Sequence, residues 1–230
     1  MMQYEIAGLR VEMAVSGRTQ KQAAAYAAPA AGQPDMVLPD DAALCLRAHP
    51  ELETMELAQY MSTGAAFARK LLDYNGFQLH ASAVIYNGRA YLFSAPSGMG
   101  KSTHTEKWVR LFGARYLNDD KPAIRCIDGT WMAYGTPWSG KHDLSSPEGV
   151  PLAAVVFLKR GDENSMQPMQ PVKAIPFLLS QVTRVHPRAY TEKLMEIVDR
   201  FLRDMPVWEL TCRNDDEAAF VSHSALCCGE

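Results

Sequence analysis

Lys101 and Ser102, preceded by glycines at 98 and 100, are the residues whose types and spacing speak most directly of chemistry. The stretch Ala95, Pro96, Ser97, Gly98, Met99, Gly100, Lys101, Ser102 and Thr103 reads as a loop for the β- and γ-phosphates of a nucleotide. Its glycines let the backbone turn several N–H groups toward one point. Lys101 brings a mobile cation to that point, and Ser102 a hydroxyl able to ligate Mg²⁺. A helix beginning near Lys101 would aim the positive end of its dipole at the same place. Ala95 stands where the G-x-x-x-x-G-K-[ST] pattern has its first glycine, and the bland alternative is a glycine-rich connection.

Phosphate transfer also needs a group to activate the acceptor and a group to hold the metal. Asp119 and Asp120 follow a short strand, residues 114–118, that comes after the helix. A right-handed crossover would return that strand beside the loop strand, with its C-terminal end at the phosphate edge of the sheet. One carboxylate could then take a proton from a hydroxyl while the other orients Mg²⁺. A solvated Asp-Asp turn is the competing reading. Ser139, Gly140 and Lys141 could form a second anion site, with Arg160 facing the same space; an ordinary surface loop and a solvated strand end compete with that. His80, taken alone, reads better as a satisfied strand histidine.

The elements that must position these groups can be read from the flanks. Residues 89–94 are an apolar, β-prone run that feeds the loop. Residues 103–112 have helical spacing, and Gly113 sits where a helix-ending glycine belongs. The run 78–86 reads as a strand joined to 89–94 through a type I′ hairpin at Asn87-Gly88. A strand reached by a hairpin makes the sheet mixed. A second hairpin is expected at Asp128-Gly129, between runs 123–127 and 130–134. The Gly-, Pro- and Ser-rich stretch 135–148 has the length of a functional loop, and 151–158 reads as a fully buried central strand. Helices are expected at 51–74, with Gly64 as a candidate break, and at 174–182, 188–203 and 215–226; residues 207–212 read as a strand. The N-terminal forty-odd residues look like short strands and loops, and 22–32 fits either a helical turn or a loose connection. The fold class is therefore α/β, a mixed β-sheet with a phosphate loop flanked by helices. Residues 1–76 are read as strands and helix that are part of, or appended to, a core spanning 77–230.

Bulk properties bound the function classes. The chain has 230 residues, 47% hydrophobic and 21% charged, with net charge −3. No basic excess points to nucleic acid or an anionic membrane surface. The five cysteines, with Cys227 and Cys228 adjacent, show neither disulfide-framework nor zinc-pair spacing. The N-terminus has no basic start followed by an apolar core, so no secretory signal is expected, and a reducing cytoplasm fits best.

His80 in Leu-His-Ala-Ser, the loop Ala95-Pro-Ser-Gly-Met-Gly-Lys-Ser102 and Leu117-Asn-Asp-Asp120 together resemble the catalytic half of HPr kinase/phosphorylase. ATP-dependent phosphoenolpyruvate carboxykinases share that fold. The resemblance covers roughly residues 77–160. It implies that Lys101 grips the transferred phosphoryl group, that Ser102 and Asp120 serve Mg²⁺, and that Asp119 is the general base. His80 would hydrogen-bond the aspartates and tune their charge. The implied function is an ATP- and Mg²⁺-dependent kinase whose acceptor is a hydroxyl on a peptide, protein or small molecule. A non-catalytic nucleotide-binding regulator or scaffold, and a carboxykinase-like metabolic enzyme, are the alternatives. The family's acidic-Arg-Gly signature and its C-terminal substrate-contacting segment are absent, so HPr itself is not the expected acceptor. Neither nucleic acid nor membrane is expected as a partner, and a homo-oligomer is left open.

Overall fold

The computed structural model describes residues 2–30, 32–183 and 188–227; Met1, Ala31 and Cys228, each in a stretch read above, lie outside them. Strands β1 (Met2–Ile6) and β2 (Leu9–Met13) form a hairpin, and β3 (Met36–Val37) pairs parallel to β2. Helix α1 (Gly17–Ala23) comes between β2 and β3, and α2 (Ala42–Ala48) and α3 (Met55–Leu71) follow. The remaining strands are β4 (Gly76–Gln78), β5 (Ala81–Tyr86), β6 (Arg89–Ser94), β7 (Arg115–Asn118), β8 (Ala123–Ile127), β9 (Thr130–Tyr134), β10 (Gly149–Arg160), β11 (Ser165–Pro168) and β12 (Val207–Cys212). Helix α4 (Lys101–Phe112) follows β6, α5 (Pro171–Gln181) and α6 (Arg188–Asp204) precede β12, and α7 (Asp216–Cys227) follows it.

Nine strands, β4 to β12, form one mixed sheet among the described residues, with the main order β4-β8-β9-β10-β6-β5-β7. Strand β10 is its axis. The N-terminal end of β10 pairs antiparallel with β9, whereas Val155–Phe157 lie parallel between β6 and β12. Alternation explains why both faces are covered. Leu92, Val155 and Phe157 point to one face and pack with Leu178 of α5 and Leu194, Ile197, Val198 and Phe201 of α6. Tyr91, Phe93, Val156 and Leu158 point to the other, against Trp108 of α4 and Ala219 of α7. A strand buried on both faces reads as a continuous apolar run, as residues 151–158 do.

Three details differ from the sequence reading. The run 78–86 is two strands: Gln78 pairs with Ala123 of β8, and Ala81 pairs with Ser94 of β6, so the chain changes partner at Leu79-His80. Strand β7 is not beside β6, because β5, delivered by the hairpin, occupies that edge and β7 pairs with β5. Two antiparallel steps still leave β7 parallel to β6, so both strands end at the same edge of the sheet. Finally, Gly64 does not interrupt α3. A Cβ there would lie 3.0 Å from Cδ1 of Trp138, which stacks on Phe67 at 4.7 Å and donates from Nε1 to Thr63. The glycine makes room for an indole from the loop that follows β9. Gly64→Val is expected to overpack this contact and lower stability by about 1–3 kcal/mol, read as a lower melting temperature in calorimetry.

Among the described residues no helix is long and apolar enough to cross a membrane. Cys45, Cys126, Cys212 and Cys227 are free thiols.

Candidate active site

The glycine loop, residues 95–100, joins the buried end of β6 to the start of α4. Gly98 and Gly100 have φ of +78° and +100°, a region that L side chains rarely adopt. A Cβ at either would meet nothing within 4 Å, so the space beside both glycines is open. Ala95 is buried. Lys101 is 8% exposed, and its ammonium donates back to the carbonyls of Ala95 at 2.9 Å and Pro96 at 3.5 Å. Burial lowers the Lys101 pKa and the nearby Asp120 opposes that shift. Arg160 braces the loop from outside, its Nη2 donating to the Gly98 carbonyl at 2.8 Å.

The acid pair is fixed by the residue before it. Asn118 is fully buried at the end of β7; its Oδ1 accepts from the N–H of Asp120 at 2.9 Å and of Lys121 at 2.6 Å. Its Nδ2 donates to the Thr136 carbonyl at 2.9 Å. This side chain holds the turn that an Asx residue favours and leaves both carboxyls beyond the strand end. Asp119 is 7% exposed and accepts from the Gly140 N–H at 2.6 Å. Burial raises its pKa and the Gly140 N–H works against that rise, while the charge of Asp120 adds to it.

His80 sits where the chain changes strand partners. Its Nδ1 faces Gln181 Oε1 at 3.0 Å, and its Nε2 lies 3.4 Å from Asp120 Oδ1. Both neighbours are acceptors and favour a doubly protonated ring. Burial first, and Lys101 second, nevertheless hold the His80 pKa below its ordinary value.

A cleft of about 610 Å³ gathers His80, Ser97, Gly98, residues 100–103, Asp119, Asp120, Gly140 and Lys141, whereas Ala95, Pro96 and Met99 border neighbouring spaces instead. It also contains Glu106 and His142, which the sequence reading missed. Glu106 was findable, since it lies one helical turn beyond Ser102. Its three carboxylates, at Glu106, Asp119 and Asp120, outnumber its two lysines, Lys101 and Lys141. The oxygen donors Ser102, Asp120 and Glu106 are the kind that Mg²⁺ takes alongside substrate phosphates. Ser139 and Arg160 do not line this cleft. The Ser139 hydroxyl turns away, accepting from Gln22 Nε2 at 2.9 Å, and Arg160 borders a neighbouring cleft.

The loop carrying Gly140 and Lys141 is held by the N-terminal part of the chain. Arg18 donates to the Gly140 carbonyl at 3.0 Å, and the Tyr60 hydroxyl donates to the Ser139 carbonyl at 2.9 Å. Arg18 and Lys121 flank the Tyr60 ring, 5.0 Å and 5.1 Å from its centre. Arg18 and Tyr60 are far from Asp119 in sequence, so no local signal pointed to them. Gln22→Ala and Tyr60→Phe are each expected to cost this clamp about 1 kcal/mol. The amide of Gly140 should then exchange several-fold faster in hydrogen-exchange mass spectrometry while α4 keeps its protection.

A family model described as SynChlorMet cassette protein ScmC matches residues 43–205, a stretch that contains every residue of the cleft. No curated protein matches. Among solved structures, the HPr(Ser) kinase/phosphatase from Coxiella burnetii is similar at 8% identity, over 64% of this chain and 95% of that one, with a TM-score of 0.39. That likeness is a distant one.

Proposed function

The chain belongs to the family of SynChlorMet cassette protein ScmC, and from its cleft we propose a Mg²⁺- and ATP-dependent phosphotransferase that acts on a hydroxyl acceptor. The observation that carries this reading is the meeting, in one cleft, of an open glycine loop with Lys101 and Ser102 and the buried acid Asp119 beside Asp120.

Magnesium-bound ATP would supply the transferable phosphoryl group, with Ser102 and Asp120 as the protein's donors to the ion. The loop N–H groups and the start of α4 bind the terminal phosphates. Lys101 leaves the Ala95 carbonyl and offsets charge on the transferred group. Asp119 accepts the proton of the acceptor hydroxyl. The acceptor oxygen bonds to the γ-phosphorus, and the bond to the β,γ-bridging oxygen breaks, releasing ADP. Burial makes Asp119 a stronger base than an ordinary aspartate, and the Gly140 N–H keeps its carboxyl aimed. His80 positions Asp120 from the side of α5. Positioning and charge compensation account for the chemistry, with no covalent enzyme intermediate.

The test is a transfer screen with γ-labelled ATP and Mg²⁺ against serine-containing peptides and free hydroxylated metabolites. Labelled acceptor, together with ADP, is the expected product. Tight ATP binding with no ADP formed over any acceptor would replace this reading with that of a nucleotide-binding regulator.

A further inference from the structure

A second cleft, of about 600 Å³, opens on the other side of the phosphate loop. Helix α4 divides the two. Ser102, Thr103 and Glu106 face the acidic cleft, whereas Gly100, His104 and Lys107, at helical spacing, face the second one. The opposite wall comes from the ends of β10 and β12, at Leu158 and Cys212. Gly100 borders both spaces, so the loop is their common wall.

The two clefts differ in charge. Lys107, Arg160 and Arg213 border the second, against the single acid Asp162. Arg213 is answered by Asp215 and Glu217, and Arg160 is engaged with the Gly98 carbonyl. Lys107 is different. It is 9% exposed, its Nζ donates to the neutral Asn214 Oδ1 at 2.9 Å, and it forms no ion pair with a described residue. A buried ammonium without a counter-charge is unfavourable and is relieved by an anion that enters beside it. Met99 and Leu158 contribute apolar surface to its lining, and the His104 ring packs 4.6 Å from the ring of Phe93. Burial pushes the His104 pKa down to about 3, so the ring is uncharged.

We propose that this second cleft seats the nucleoside and α-phosphate of the nucleotide whose terminal phosphates the loop holds, with Lys107 as the anchor for the α-phosphate. The inference rests on the phosphotransferase reading and adds the direction of the bound nucleotide. With the γ-phosphate toward Asp119, the chain of phosphates crosses the start of α4 and leaves on the opposite side, where this space lies. Its size falls in the range of small-ligand sites.

Two measurements test it, with inorganic pyrophosphate as a probe that fills only the β and γ seats. Lys107→Met keeps the buried volume and removes the charge. It is expected to weaken Mg-ATP binding about tenfold, the loss of one charge-assisted hydrogen bond, and to leave pyrophosphate affinity unchanged. In the unaltered protein, Mg-ATP should slow alkylation of Cys212 by N-ethylmaleimide and pyrophosphate should not. Cys45 and Cys126, mapped by mass spectrometry in the same digest, serve as controls. Equal protection of Cys212 by both ligands, or no protection by either while both bind, would overturn the inference. Lys101-dependent pyrophosphate binding would then leave the phosphotransferase reading standing. Failure of both ligands to bind would remove that reading and this inference with it.

Discussion

Asp119→Asn protein is expected to bind Mg-ATP as the parent does and to transfer phosphate roughly 10²–10⁴-fold more slowly, the range that general-base groups contribute. The substitution suits the question because an asparagine oxygen can still accept from the Gly140 N–H that holds this side chain at 2.6 Å. The Gly140 loop therefore keeps its anchor. What is lost is the capacity to take a proton, together with one negative charge beside Asp120. Single-turnover transfer and calorimetric titration, run on the same preparation, separate the two quantities. Undiminished transfer would mean that another group receives the proton, and Glu106 and Asp120 are the carboxylates that line the same cleft.

Lys101→Met is expected to cut both nucleotide affinity and transfer. The aliphatic stem is buried, so methionine keeps most of the volume while removing the ammonium. A hydrogen bond to a charged partner contributes about 1.5–3 kcal/mol, or roughly 10–100-fold in affinity. The loss in transfer should exceed the loss in binding, because charge develops on the transferred group as the reaction proceeds. The ammonium now donates to the carbonyl of Ala95, itself buried, so the variant's melting temperature is read in the same preparation. Equal pyrophosphate and ATP affinities in parent and variant would show that this lysine never leaves the Ala95 and Pro96 carbonyls.

The two predictions rest on groups of different legibility. Strand, loop and helix around Lys101 were readable because they are contiguous: the apolar run, the glycines and the helix-ending Gly113 follow one another in the chain. Both type I′ hairpins were readable for the same reason, since Asn87 and Asp128 each precede a glycine and have φ of +48°. The neighbours of β7 were not readable. Which strand takes the edge beside β6 depends on the hairpin outcompeting the crossover, a choice made by tertiary pairing. Gly64 misled because a glycine within a helix is ambiguous until its packing partner, Trp138, is known. Helix α2 escaped because its seven residues are too few to establish a period, and β11 because four exposed or half-exposed residues carry no alternation. The clamp on Gly140 escaped entirely, since Arg18, Gln22 and Tyr60 reach it across more than seventy residues.

The ladder between β5 and β6 closes through two residues, whereas the other side of β6 is completed by β10, where Leu152 pairs with Ala90. During synthesis, Tyr91, Leu92 and Phe93 therefore leave the ribosome well before their second partner does. A nascent chain paused short of Gly149 presents that apolar edge unpaired, as a template for another copy. The strand that leads into the glycine loop is thus a segment that a holdase chaperone would have to cover until β10 is made.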